Sequence, residues 1–111
     1  MNLLFIIPFL FTNIITKTIS VKDTIFINTT GEYVIKYTKS NRVIVETTYE
    51  NNAPYKLQEY IKKRYSIEYQ ELDNRTIINI FLPKNKIIYH GKQIEEKFSS
   101  IIYCPEGINI E

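Results

Sequence analysis

The feature that most constrains this chain is a period-two alternation of apolar and polar side chains through residues 24–50. Successive strand residues point to opposite faces of a sheet, so such alternation demands strands with one buried face. Tyr33, Ile35 and Tyr37 share one face, with Glu32, Lys36 and Thr38 on the other. Farther on, Val43, Val45 and Tyr49 oppose Arg42, Glu46 and Thr48. Val34 and Ile44 intrude on the polar faces. Turn formers at Thr29-Thr30-Gly31 and Lys39-Ser40-Asn41 divide the stretch into three predicted strands.

After Asn51-Asn52-Ala53-Pro54 the rhythm changes. Leu57, Tyr60 and Ile61 recur at helical spacing in a stretch poor in β-branched residues, which predicts one short helix over about residues 55–64. Pro54 suits the first turn, and Lys62, Lys63 and Arg64 complement the negative pole of the helix dipole at the other end. Strands resume at residues 66–71, turn at Leu72-Asp73-Asn74 and continue over 76–82 as a hairpin, until Pro83 removes a ladder donor. A polar, looping stretch over 83–100 follows, with a short strand at Ile87-Ile88-Tyr89. Two last strands, at 101–104 and 108–110, flank a Pro105-Glu106-Gly107 turn. The expected fold is mainly β, a small antiparallel or β-solenoid-cap-like sheet with one short helix.

The chain is 44% apolar and 14% aromatic, with nine Tyr and six Phe, too hydrophobic for a disordered segment. Its three Gly argue against a tight, glycine-punctuated sandwich. The net charge of +2 falls far short of a phosphate-tracking surface, so nucleic acid is not an implied partner. Cys104 is alone, leaving the core to stabilise the fold without an intrachain disulfide.

Leu3 to Phe11 reads LLFIIPFLF, an apolar run of signal-peptide length, and Thr18 and Ser20 fit the small positions of a cleavage site. Cleavage after Ser20 would divide the chain into a signal peptide over 1–20 and a single β-rich domain over 21–111. The predicted location is therefore exported: periplasmic, outer-envelope or secreted. A spanning helix needs about 20 apolar residues, and Pro8, Thr12 and Asn13 interrupt this run, so membrane contact is expected only in transit through the signal segment. An uncleaved membrane anchor and a buried N-terminal strand or helix are the two other readings of the same residues. No Cys stands near the cleavage point to carry a lipid.

In the text FINTTGEYVIKYTKSNRVIVETTYE, YKLQEYIKKRYSIEYQ and IIYCPEGINIE, the order of strand, Gly turn, strand pair, polar helix, hairpin and Pro-x-Gly segment resembles the N-terminal part of the head-GIN, adhesin-like β-strand-repeat proteins of the bacterial cell envelope. The resemblance spans nearly all of residues 25–111. It implies a first, cap-like unit of an array of Gly- and Asp-rich repeats, with residues 101–111 standing where the array would begin. It brings no site residues with it.

No catalytic, cofactor or metal constellation is predicted. His90 is the only histidine, so Cys104 with His90 is the only nucleophile–base pair the chain could assemble, as a small hydrolase would need. Asn28-Thr29-Thr30 and Asn74-Arg75-Thr76 match the N-glycosylation pattern and fall at predicted turns. The remaining candidate is a set of tyrosines, Tyr33, Tyr37, Tyr49 and Tyr69 with Tyr65 and Tyr89, too many to bury in a domain this small and well suited to contact surfaces. The sequence thus predicts an exported binding or structural protein without catalysis, whose partner is an unspecified protein or envelope component. A secreted inhibitor-type binder is the alternative within the same chemistry.

Overall fold

The computed structural model describes residues 11–21 and 23–111. The first half of the apolar leader lies outside the described residues. Its second half is β1 (Phe11–Ile19), followed by β2 (Thr24–Asn28), β3 (Tyr33–Thr38) and β4 (Val43–Asn51). One turn of 3-10 helix (Tyr55–Leu57) leads into α1 (Gln58–Lys62). Then come β5 (Ser66–Leu72), β6 (Arg75–Phe81), β7 (Ile88–Tyr89), β8 (Lys92–Gln93), β9 (Glu96–Pro105) and β10 (Asn109–Ile110). The protein is mainly β with one short helix, as the alternation predicts.

The strands form two four-stranded sheets, in the orders β1-β4-β9-β3 and β10-β2-β6-β5, with β7-β8 as a separate small hairpin. Both large sheets are mixed. β3 runs parallel to β9, and β10, β2 and β6 run parallel to one another, while the remaining pairs are antiparallel. Consecutive strands β2 and β3 therefore lie in different sheets and do not pair, although their short connection reads like a hairpin. The scarcity of Gly does not prevent a two-sheet structure. Asp73 and Asn74 (φ 50° and 67°) take the left-handed positions of the tight β5–β6 turn, and His90 with Gly91 (φ 51° and 75°) does the same between β7 and β8.

Inward-facing residues of both sheets make one core, in which Ile19, Val43, Val45, Ile102 and Cys104 of the first sheet join Ile25, Ile27, Ile78 and Ile80 of the second. The buried face of β4 reads Val43, Val45, Thr47, Tyr49, Asn51, in keeping with the alternation. Two of these are polar and are satisfied. Thr47 and Ser100, opposite each other on β4 and β9, share a hydroxyl hydrogen bond of 2.8 Å. Asn51 and Gln58 exchange amide hydrogen bonds of 3.0 and 2.8 Å, and Asn51 also accepts from the Ala53 N–H, tying the helical segment to the end of β4.

The helix is shorter than its spacing predicts. After Ile61, which is fully buried, the chain tightens through Arg64 N–H to Ile61 C=O and Tyr65 N–H to Lys62 C=O, both three-residue closures. This delivers Tyr65 onto Tyr49, ring on ring at 4.1 Å, with Phe98 edge-on to Tyr65 at 5.7 Å. Beside this stack, Glu96 accepts from Arg64 at 2.9 Å and from the Tyr65 hydroxyl at 2.7 Å.

The predicted signal segment overlaps β1, which pairs antiparallel with β4 along its whole length, from Phe11 opposite Asn51 to Ile19 opposite Val43. Ile19 is fully buried. Cleavage after Ser20 would remove this strand and bare the edge of β4.

Candidate functional site

The edges of the two sheets differ in how they are closed. β1 and β5 lie against each other at one end of the pair of sheets. There Lys17, which shares its face with Val45, sets its ammonium 5.9 Å from the centre of the Tyr69 ring, which is still 43% exposed. β1 is otherwise rich in Thr and Asn, and β5 carries Glu68 and Glu71, so both edges are mostly polar, with Ile14 and Leu72 as exposed exceptions. Charge on an edge strand discourages pairing with another chain.

The opposite end of the sheets is formed by β3 and β10. β10 is only two residues long. β3 is six residues, YVIKYT, and Lys36 is its only charge. Ser100 N–H donates to Glu32 C=O, and Glu106 N–H to Thr38 C=O, so even-numbered residues of this strand direct their backbone groups toward β9. The N–H and C=O groups of Tyr33, Ile35 and Tyr37 consequently face outward, away from the sheet. Their side chains lie on the inner face, in register with Ser100, Ile102 and Cys104. Among the described residues no further strand lies beyond β3, and that inner face is left open: Tyr33 is 39% exposed and Tyr37 60%. On the outer face Val34 is 57% exposed beside the half-buried Ile101 and Tyr103.

The structure therefore divides the predicted tyrosine set. Tyr33 and Tyr37 stand together on β3 at the open end. Tyr69 is on the far edge beside Lys17, exposed but apart from the other two. Tyr49 and Tyr65 are corrections, since both are buried in the aromatic stack (2% and 4% exposed) and present nothing to a partner. Burial pushes both phenols up from their ordinary value, and for Tyr65 the hydrogen bond to Glu96 pushes the same way. Tyr89 is half-buried, with the Lys56 ammonium 5.2 Å from its ring. The site residues that the alternation did not single out are Val34 and Ile35. Val34 did carry a signal, as the apolar residue out of phase on a polar face.

Cys104 and His90 are not arranged as a nucleophile and its base. Cys104 is fully buried on β9, and burial raises its thiol pKa, the reverse of what a thiolate nucleophile requires. His90 is the exposed tip of the β7–β8 turn, edge-on to Tyr89 at 4.2 Å. It borders a shallow groove of about 360 Å³ whose other walls, Asn52, Pro54, Tyr89, Lys92, Gln93 and Ile94, supply no carboxylate or thiol. Among the described residues no cluster of His, Cys, Asp or Glu is grouped to hold a metal ion, and no helix is long and apolar enough to cross a membrane. Of the two glycosylation-pattern asparagines, Asn28 donates to Asn79 Oδ1 at 2.8 Å across the parallel β2–β6 pair, and Asn74 lies in the exposed β5–β6 turn.

No family model matches the chain, and neither a curated protein nor a solved structure shows significant similarity to it.

Proposed function

We propose that this is an exported cell-envelope protein that acts by binding or structural association, without catalysis, and that its contact surface is the β3 edge. The observation that carries the reading is the contrast between edges. β3 offers outward backbone groups at Tyr33, Ile35 and Tyr37 beneath an open apolar face and has one charge. β1 and β5 instead lie against each other and, besides the exposed Ile14, Tyr69 and Leu72, carry Thr, Asn, Lys and Glu side chains. Strand addition at such an edge draws affinity from main-chain hydrogen bonds and specificity from alternate side chains. Export is supported by the apolar run Leu3–Phe11 and by the resemblance to adhesin-like envelope proteins. Processing after Ser20 would add a second acceptor edge, β4, to the first.

Fractionation of bacteria expressing the full chain tests this. The protein should be recovered in the envelope fraction with Val21 as its first residue. Ile35→Pro removes one outward N–H without touching the β9 ladder, which uses the even-numbered residues, and should release the protein into the soluble extracytoplasmic fraction. Recovery of the wild type in the cytoplasm, or an unchanged distribution of the variant, would overturn the proposal.

A further inference from the structure

We infer that the partner fitted to the β3 edge is a second copy of this chain, joined by antiparallel β3–β3 pairing about a two-fold axis at Ile35. The inference rests on reading β3 as the contact edge and adds the identity and register of its occupant. Opposed residues of an antiparallel pair exchange hydrogen bonds only where both direct their backbone groups at each other. On β3 those residues are Tyr33, Ile35 and Tyr37. A symmetric register centred on Ile35 sets Ile35 opposite Ile35, Tyr33 opposite the second copy's Tyr37, and Tyr37 opposite its Tyr33. All outward N–H and C=O groups of the three residues are then paired. Centring the axis on Val34 or Lys36 pairs only two of the three with each other and sets the remaining tyrosine opposite Gly31 or Lys39, outside the strand, whereas an axis midway between two residues sets all three opposite residues that face β9.

The side chains agree with that register on both faces. On the inner face the exposed Tyr33 and Tyr37 become two cross-strand aromatic pairs flanking an Ile–Ile pair, a favourable combination in antiparallel sheets. On the outer face Lys36 is opposite the second copy's Val34, so the only charge within β3 never meets itself. Glu32, just before the strand, comes opposite Thr38 of the second copy and diagonal on the same face to its Lys36, within reach of long side chains. Symmetry makes each of these contacts twice. The other edges lack this self-complementarity: β10 is too short, and β1 and β5 already face each other. A two-fold pairing of this kind also closes on itself as a dimer with one continuous sheet and does not propagate into a fibre.

Sedimentation velocity on the purified full chain over a range of concentrations should show a reversible monomer–dimer equilibrium. Val34 is exposed, so changes there act on the pairing and leave the core alone. Val34→Lys sets two lysines against Lys36 and should weaken the dimer about tenfold, whereas Val34→Glu sets two carboxylates against Lys36 and should tighten it by a factor of several. The double variant Val34→Lys with Lys36→Glu should recover dimerisation, which only this register explains. A wild type that stays monomeric, or two Val34 variants that shift the equilibrium in the same direction, or a double variant that fails to recover, would overturn the inference. The edge itself is judged separately: a monomeric wild type whose Ile35→Pro variant still leaves the envelope fraction sinks the dimer and retains the edge.

Discussion

Starting the chain at Val21 strips β1 from the first sheet, and the structure allows the consequence to be sized. Ile19 goes from fully buried to absent, and Phe11 and Ile15 take with them two half-buried apolar contacts on the same face. Full burial of an Ile contributes roughly 1.5–3 kcal/mol, and the two half-buried side chains together contribute about 2. The nine-residue ladder with β4 is lost as well, but ordering those residues cost conformational entropy of similar size, so the apolar contribution of about 4 kcal/mol sets the expected loss. A domain of this length holds roughly 5–15 kcal/mol in total, so residues 21–111 should still fold, with a much smaller margin. At a urea m-value of about 1.5 kcal/mol/M the midpoint should fall by about 2.5 M.

The assay is urea unfolding of the full chain and of residues 21–111, followed by far-ultraviolet circular dichroism. A synthetic Phe11–Ile19 peptide, FTNIITKTI, should restore much of the midpoint by refilling the β4 edge, and a scrambled peptide should not. Equal midpoints for the two chains, or equal restoration by the scrambled peptide, would refute the reasoning that β1 is an integral strand. The outcome also bears on export, because a protein processed at Ser20 must either tolerate this loss or fill the edge with something else.

Three further outcomes follow from the interior. The raised phenol pKa values of Tyr49 and Tyr65 mean that the folded protein holds protons the unfolded chain releases above about pH 10, so stability should be full below that pH and fall as pH rises, by about 1.4 kcal/mol per unit for each tyrosine that stays protonated; denaturant midpoints between pH 8 and 11 check this. Glu96→Gln should cost about 2 kcal/mol, since Arg64 loses its charge partner at a site where the two side chains are 15% and 8% exposed, and the loss should be insensitive to moderate salt. Asn51→Ala leaves the Ala53 N–H and the Gln58 amide without their partner and should cost about 2 kcal/mol, with amide exchange quickening first over residues 55–62.

What the sequence disclosed was mostly local. The face of β4, the β5–β6 hairpin at Asp73-Asn74 and the existence of one helix could be read directly, because period and turn chemistry act over a few residues. The first half of β9 could not. Glu96, Lys97, Ser99 and Ser100 look like a loop, and they become a strand because β4 on one side offers a complete ladder and Thr47 offers Ser100 a buried hydroxyl partner. The parallel pairing of β2 with β6 is equally invisible, being a contact between segments about fifty residues apart. The helix ended early for a reason outside its own propensity, the stacking of Tyr65 on Tyr49.

The tyrosines show why the contact surface was only half legible. Alternation assigns Tyr33, Tyr37 and Tyr49 to inward faces with equal force, and each does face inward. Whether an inward residue is buried depends on what lies over it and on its column in the sheet, which alternation does not encode. Tyr49 stands on β4, flanked by β1 and β9 and covered by Tyr65; Tyr37 stands on β3 with β9 on one side and solvent on the other. The same chemistry is core in the first column and surface in the second. Val34 is the residue that separates the two cases, because a central strand whose outer face meets water gains nothing from an exposed valine there. At an edge, the same valine sits opposite an incoming strand. Ile44 is equally out of phase, yet on the central strand β4 it lies half-buried between Thr18 and Tyr103. The mark of an edge built to be joined is therefore the out-of-phase apolar residue that is also left exposed, and Val34→Lys is the substitution on which that reading turns.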